Sequence, residues 1–490
     1  MTACLGIAGA GTMGAGIAAA ARDAGLRVRL HDPDPTAQGR VTGVEWAAEV
    51  AGLAPCDVVI EAAPEALELK RALFAALAAV VAPDAVLATN TSSLLVSEIA
   101  AGVPRPERVV GLHFFNPVAK MRLVELVAGG ESAPRALARA RAVAEAMGKH
   151  VIEAADGPGF LVNRCNRPFG LEALRIVQER IATPEQVDRI CRLAAGFRMG
   201  PFELADLVGI DVGHAVARSF FAQSHGEPRW RPSPLAARMV AGGRLGRKSG
   251  RGWYAHPPGR PADPPPPERG PAEGLVVVAG EPEPAGWLLR AAEAAGWDAR
   301  TPLEAEGEVP FLILDCGSTE EDPPLQGGPQ LLRCDEAPLA VQDPGGPAAG
   351  FHLCAPVRAG GLVELTRSPT TAHATAAAAE RFFATLGLRA EWVGDGPGLV
   401  SGRLLATLVN EACFALGEGV GSAEAIDAGM ELGLNHPRGP LAWGDLLGPE
   451  AVLATLLALG DEYREERYRP APALLRAVRA ELDLAARSCT

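Results

Sequence analysis

His113 and Glu125 are the pair in this chain best suited to move a proton. His113 closes the apolar run Val109 to Leu112, and Glu125 sits inside the next one, Leu123-Val124-Glu125-Leu126-Val127. Neighbouring strands would let the two meet at the carboxyl edge of a sheet. An imidazole held by a carboxylate is a general base whose tautomer and proton affinity are set by that partner. Thr89-Asn90-Thr91-Ser92-Ser93 adds hydroxyls and an amide after a strand-like run, and Asp156-Gly157-Pro158-Gly159-Phe160-Leu161-Val162-Asn163-Arg164 adds a second amide. Taken singly, each has an ordinary reading, with Ser93 a helix cap, Asn163 a helix-surface amide, and His113 and Glu125 unrelated strand residues. Their company points to catalysis.

The elements that must position these groups begin at the N-terminus. Leu5 to Ala8 reads as a strand that breaks into Gly9-Ala10-Gly11-Thr12-Met13-Gly14 and then into a helix. Gly-x-Gly-x-x-Gly is informative in that context, because the helix N-terminus supplies N–H groups and partial positive charge to a pyrophosphate. Gly9 makes the tight turn, Gly11 admits the phosphates, and Gly14 lets helix and strand pack closely. Asp32 follows Gly14 by 18 residues, after a second strand, where an acid binds the adenosine ribose and repels a 2′-phosphate. The pattern predicts an NAD site.

Strand-like runs at 5–8, 26–30, 57–61, 85–88, 109–113 and 122–127 alternate with helical ones, which predicts a doubly wound sheet. The pattern then turns helical at 159–179, 184–195, 201–224 and 234–242. A proline-rich stretch, 257–273, reads as an extended linker. Beyond it Leu275–Ala279 and Phe311–Leu314 again read as strands, and helices return from Gly398. The domain boundaries expected are 1–154, 155–256, 274–394 and 395–490.

An internal repeat organises the whole chain. At a constant offset of 239, Gly111-Leu112-His113 aligns with Gly350-Phe351-His352, and Leu123-Val124-Glu125-Leu126 with Leu362-Val363-Glu364-Leu365. In the same register Asp156-Gly157-Pro158-Gly159 matches Asp395-Gly396-Pro397-Gly398, and Gly200-Pro201 matches Gly439-Pro440. The second copy lacks the glycine loop, carrying Gly280-Glu281-Pro282-Glu283-Pro284 instead, and has Ala355 for Asn116 and Gly402 for Asn163. It reads as a structural relic, with one nucleotide site per chain in the first half.

A net charge of −13 argues against nucleic acid or an anionic membrane as the main partner. No apolar run is long enough to span a bilayer. The nine cysteines are scattered and without Cys-x-x-Cys spacing, which fits a reducing cytoplasm and predicts neither a disulfide scaffold nor a metal site.

With these motifs in place, residues 1–255 resemble a 3-hydroxyacyl-CoA dehydrogenase, and the whole chain resembles the long, duplicated members associated with phenylacetate catabolism. The resemblance rests on Gly9–Gly14, Asn90–Ser93, Gly111–Pro117, Asp156–Arg164 and Met199–Leu204, and in the second half on Gly439–Gly444 and Glu465–Pro470. It implies an N-terminal Rossmann-type doubly wound sheet, an all-α dehydrogenase domain, and a degenerate second copy of both. It further implies oxidation of 3-hydroxyadipyl-CoA by NAD, with 3-hydroxybutyryl-CoA or a silent NAD-binding protein as alternatives. His113 then matches the base, Glu125 its orienting partner, and Ser92 and Asn163 the groups on the substrate's 3-oxygen. Glu65, Lys70 and Asn90 match positions at the cofactor, beside Gly9, Gly11, Thr12, Met13, Gly14 and Asp32.

Shorter members pair their helical domains between chains, so either a homodimer or a pseudo-dimer within this chain is expected. A third reading makes the second half a partner- or acyl-binding module. The lysine-bearing insertion that grips CoA in relatives is absent, since only 24 residues separate Asp32 from Asp57 and none is a lysine. Arg40 or the second half would have to replace it. An adipyl substrate also needs a cation for its distal carboxylate, and Arg122, Arg164, Arg167 and Arg198 are the candidates.

Overall fold

The computed structural model describes residues 4–280, 283–317, 323 and 327–485; Glu281, Pro282 and Cys489 among those discussed above lie outside the described residues. The first strands are β1 (Cys4–Ala8), β2 (Arg27–His31), β3 (Glu45–Ala47), β4 (Val58–Glu61), β5 (Val86–Thr89), β6 (Val109–Phe114), β7 (Leu123–Ala128) and β8 (His150–Ala155). They form one sheet in the order β3-β2-β1-β4-β5-β6-β7-β8. Helices Thr12–Asp23, Leu67–Val80 and Pro134–Ala146 cover it. Ile7, Val59, Ile60, Leu87 and Val110 are accordingly buried, as expected of strands covered on both faces.

β6 and β7 run antiparallel, and their register sets His113 directly opposite Glu125. Six strands were legible in this region; β3 and β8 were not. β3 is a three-residue edge strand, too short to show a period. The single helix read over 201–224 is two, Pro201–Val208 and Ile210–Gln223, because Gly209 between them takes φ +109°.

The second sheet contains β9 (Leu275–Ala279), β10 (Asp298–Arg300), β11 (Leu312–Asp315), β12 (Gln330–Arg333), β13 (Ala349–His352), β14 (Leu362–Arg367) and β15 (Arg389–Val393). Its order, β10-β9-β11-β12-β13-β14-β15, reproduces the first sheet without an equivalent of its β3 edge. The antiparallel β13–β14 pair again sets a histidine, His352, opposite a glutamate, Glu364.

Each helical region packs against the other half. Helix Val162–Gln178 lies against helix Ser401–Gly417, and the hydrogen bonds between halves come in pairs related by the repeat. Ala155 N–H donates to Val420 O at 2.8 Å, and Gly394 N–H donates to Ile181 O at 2.6 Å. Both 155 to 394 and 181 to 420 are steps of 239. One chain therefore contains an isologous interface, the arrangement two-fold symmetry gives a homodimer. The segment 257–273 contains no helix or strand and is pinned to both halves, with Asp263 2.5 Å from Arg192 and the Pro264 carbonyl accepting from Arg389 Nε at 2.8 Å. Among the described residues no single helix is long and apolar enough to cross a membrane.

Candidate active site

The glycine loop has the shape a dinucleotide needs. Gly9 takes φ +113°, and a Cβ there would lie 2.5 Å from the Ala62 carbonyl oxygen. A Cβ on Gly14 would overlap the Gly9 carbonyl oxygen, so helix Thr12–Asp23 approaches the strand as closely as it does only because residue 14 has none. Around Gly11 no atom lies within 4 Å of the Cβ position, which leaves open space over a helix N-terminus without a side-chain cap. Thr12 and Met13 form the first turn of that helix, so the unpaired backbone N–H groups there face a cradle an anionic pyrophosphate fits. Asp32 accepts the Ala10 N–H at 2.6 Å and the Asp34 N–H at 2.9 Å, which fixes its carboxylate beside the glycine loop. Arg40 donates to the Ala10 carbonyl at 3.2 Å. It therefore lies beside the glycine loop.

Glu65 ties the loop after β5 together. Its Oε1 accepts from Thr91 Oγ1 at 2.5 Å, from the Ser92 and Ser93 N–H groups at 3.0 Å each, and from Ser93 Oγ at 2.9 Å. Lys70, only 1% exposed, lies 2.6 Å from Glu61 and 3.3 Å from Glu65. The neighbouring Lys70 cation, together with the bonds from Thr91, Ser93 and Ser92, holds the Glu65 carboxyl below its ordinary pKa against partial desolvation. The Lys70 ammonium is thus engaged inside the chain, bracing the loop that carries Ser92. Asn90 Oδ1 accepts the Phe114 N–H at 2.8 Å and joins the ends of β5 and β6.

His113 Nδ1 donates to Glu125 Oε2 at 2.7 Å, and both side chains are buried. The other carboxylate oxygen, Oε1, accepts the N–H groups of Leu161 at 3.1 Å and Val162 at 2.9 Å, at the start of helix Val162–Gln178. Glu125 is thus clamped by two elements besides its own strand, and the next residue of the helix is Asn163. Ser92 and Asn163 line one cavity of about 370 Å³ walled mainly by the first helical region, and His113 and Glu125 are not part of its wall. Asn166, Arg167 and His214 line the same cavity, and the second half contributes Leu434 to its wall. Asn166 could have been found from its i+3 spacing to Asn163; nothing in the sequence marks Leu434. No group of three His, Cys, Asp or Glu side chains among the described residues is placed to hold a metal ion.

The second copy is built differently at its equivalent position. Val96 and Ser97 N–H groups bind Asp156, as Leu339 and Ala340 N–H groups bind Asp395. Asp156 to Asp395 is 239 residues but Val96 to Leu339 is 243, so in space Asp335 stands where Ser92 stands. His352 Nδ1 pairs with Asp335 rather than with its register partner Glu364. Glu364 instead accepts from the Val400 N–H at 2.8 Å and from Ser401. A Cβ on Gly402 would lie 3.0 Å from His352 Cε1, so the ring occupies room that an Asn163-like side chain would need.

The chain matches the family model described as 3-hydroxyacyl-CoA dehydrogenase, NAD binding domain, over residues 4–43 and 35–157. It matches the C-terminal domain of the same family twice, over 159–256 and 398–484. It is 36% identical to the 3-hydroxyadipyl-CoA dehydrogenase of Escherichia coli (strain K12), over 95% of both chains. A probable 3-hydroxybutyryl-CoA dehydrogenase of Bacillus subtilis (strain 168) is 38% identical over 51% of this chain and 95% of its own length. A crystal structure described as 3-hydroxybutyryl-CoA dehydrogenase from Escherichia coli K12 superposes with a TM-score of 0.82 at 33% identity, over 98% of this chain and 99% of that one. With the glycine cradle and the His113–Glu125 pair in place, the chain belongs to the 3-hydroxyacyl-CoA dehydrogenase family and is an NAD-dependent oxidoreductase of that class.

Proposed function

We propose that this dehydrogenase oxidises 3-hydroxyadipyl-CoA to its 3-oxo thioester, using His113 as base. The observation that carries the substrate assignment is the whole-length relationship to a 3-hydroxyadipyl-CoA dehydrogenase, duplication included. A second reading, 3-hydroxybutyryl-CoA, is favoured by the description of the superposed crystal structure.

Donation from Nδ1 to Glu125 leaves the Nε2 lone pair of neutral His113 as proton acceptor. Nε2 takes the hydroxyl proton of the substrate, and the buried Glu125 carboxylate stabilises the imidazolium that forms. Because Glu125 is held by Leu161 and Val162, it keeps the ring oriented without reorganising as the charge develops. Ser92 Oγ and the Asn163 amide, facing one cavity, position the 3-oxygen. Gly9–Gly14 would hold NAD, which would supply the acceptor for the hydride that leaves C3. Asp32, Asn90 and the Glu65–Lys70 brace would shape the surfaces that hold that cofactor.

Comparing NADH formation from 3-hydroxyadipyl-CoA and 3-hydroxybutyryl-CoA tests the proposal. A higher kcat/KM for the adipyl thioester supports it, and equal or reversed preference transfers the assignment to the short substrate.

A further inference from the structure

We infer that Arg167 is the receptor for the distal carboxylate of a dicarboxylic acyl chain, and that it sets the acyl specificity of this enzyme. The inference rests on the substrate reading above and names the group that executes it.

Four arginines could have met that carboxylate, and three have other placements. Arg164 is held by Glu411 at 3.1 Å and Glu418 at 2.7 Å in the contact between halves. Arg198 is exposed and, among the described residues, hydrogen-bonds only Asn435, at 3.5 Å. Arg122 is exposed at the start of β7 and outside the cavity wall. Arg167 lines the cavity that holds Ser92 and Asn163, with its guanidinium carbon 4.8 Å from the Phe220 ring centre.

Arg167 has no hydrogen bond or ion pair among the described residues, and its Nε is buried without a partner. Burial without a compensating charge pushes the guanidinium pKa down to about 10, which still leaves it protonated at neutral pH. The residues lining the cavity include no aspartate or glutamate. Two further buried polar atoms of the same wall, Asn166 Oδ1 and His214 Nδ1, are also unpartnered. A half-buried cation with its Nε fully enclosed, facing an acid-free cavity, is costly unless a ligand completes it, because a desolvated charge needs a counter-charge.

The spacing suits the acyl chain. Asn163 and Arg167 are four residues apart on helix Val162–Gln178, hence on one face and separated by about 6 Å along its axis. From C3 to the distal carboxyl carbon of an adipyl chain is three bonds, about 3.8 Å when extended. A charge-assisted hydrogen bond of about 2.8 Å completes the distance. A butyryl chain ends at a methyl group and leaves the guanidinium unpaired. In the second half the equivalent position at the same offset is Ala406, so this device belongs to the first copy alone.

The test measures kcat/KM for 3-hydroxyadipyl-CoA and for its methyl-ended isostere 3-hydroxyhexanoyl-CoA, in the full-length enzyme and in Arg167→Met and Arg167→Lys. The ratio of adipyl to hexanoyl kcat/KM is expected to fall on the order of 10²-fold in Arg167→Met, mainly through KM for the adipyl substrate, and to be partly restored in Arg167→Lys. A ratio that survives in Arg167→Met, or equal losses on both substrates, overturns the inference while leaving the substrate assignment standing. A wild-type enzyme with no preference for the adipyl chain overturns both.

Discussion

Arg164 binds Glu411 across the contact between the two halves, and Arg403, 239 residues later, binds Glu172, itself 239 residues before Glu411. The pairing extends outward, since Arg164 reaches Glu418 and Arg403 reaches Glu179, each at 2.7 Å. Divergence has touched the outer partners, because Arg229 supports Glu411 where Tyr468 supports Glu172. The duplication therefore preserved an interface while one of its two active sites was dismantled.

Arg403 is fully buried and bonds Glu172, Glu179, Tyr463 and Tyr468. Arg403→Met is expected to destabilise the chain by about 3–5 kcal/mol, because Glu172 is left charged and buried. The double variant Arg403→Met/Glu172→Met should recover much of that loss. Urea unfolding of the two variants checks this, and equal losses would contradict the pair's role.

A chain truncated after Pro258 loses Glu411 and Glu418 and bares the face of helix Val162–Gln178. Since the interface is isologous, the truncated chain is expected to pair with itself through that face or to aggregate. Light scattering during size-exclusion chromatography distinguishes this from a stable, fully active monomer, which would refute the structural role of the second half.

Gly11 and Gly14 should separate cofactor binding from folding. Gly11→Val has free space and an ordinary negative φ, so the melting temperature is expected to hold while NAD binding is lost. Gly14→Ala collides with the Gly9 carbonyl and should cost about 1–3 kcal/mol of stability as well as cofactor affinity. Calorimetric titration with NAD and thermal melts, run on both variants, check the contrast.

Glu125→Gln keeps the shape of the clamp but removes the charge facing His113. A fall in kcat of about 10²–10⁴ is expected, with a smaller change in substrate KM. A variant that lost KM and kept kcat would assign Glu125 to binding instead.

His352 is buried and pairs with Asp335, whose carboxyl is held down to about 2, with burial opposing and the His352 and Arg333 charges lowering it. The histidine is opposed by burial in the same way but is raised above its ordinary pKa by Asp335. A raised folded pKa contributes stability that is fully present below the unfolded value of about 6.5 and is lost as pH rises through the folded value. His352→Gln is therefore expected to lose on the order of 2 kcal/mol at pH 6, less at higher pH, with dehydrogenase turnover unchanged. Unfolding titrations across that range test the sign, and a loss that grew with pH would refute it.

Most first-sheet strands, the glycine loop and the repeat were legible because each is a local pattern of alternation, run length or fixed spacing. β3 was not, since three residues carry no period, and the break at Gly209 was hidden because the apolar pattern continues on both sides. His113 and Glu125 were legible as candidates, but their meeting depends on antiparallel register rather than on the simple order of strands.

The sequence by itself determined the nucleotide cradle and the duplication, and marked His113 and Glu125 as candidates, because glycine spacing and a fixed repeat offset are written in the order of residues. Only the tertiary structure decided which arginine is left for a substrate, that Glu65 and Lys70 brace the Ser92 loop, and that His352 has turned to Asp335. These depend on which charges meet across hundreds of residues of intervening chain. A buried charge takes the partner that packing brings within reach, and no local pattern records that choice.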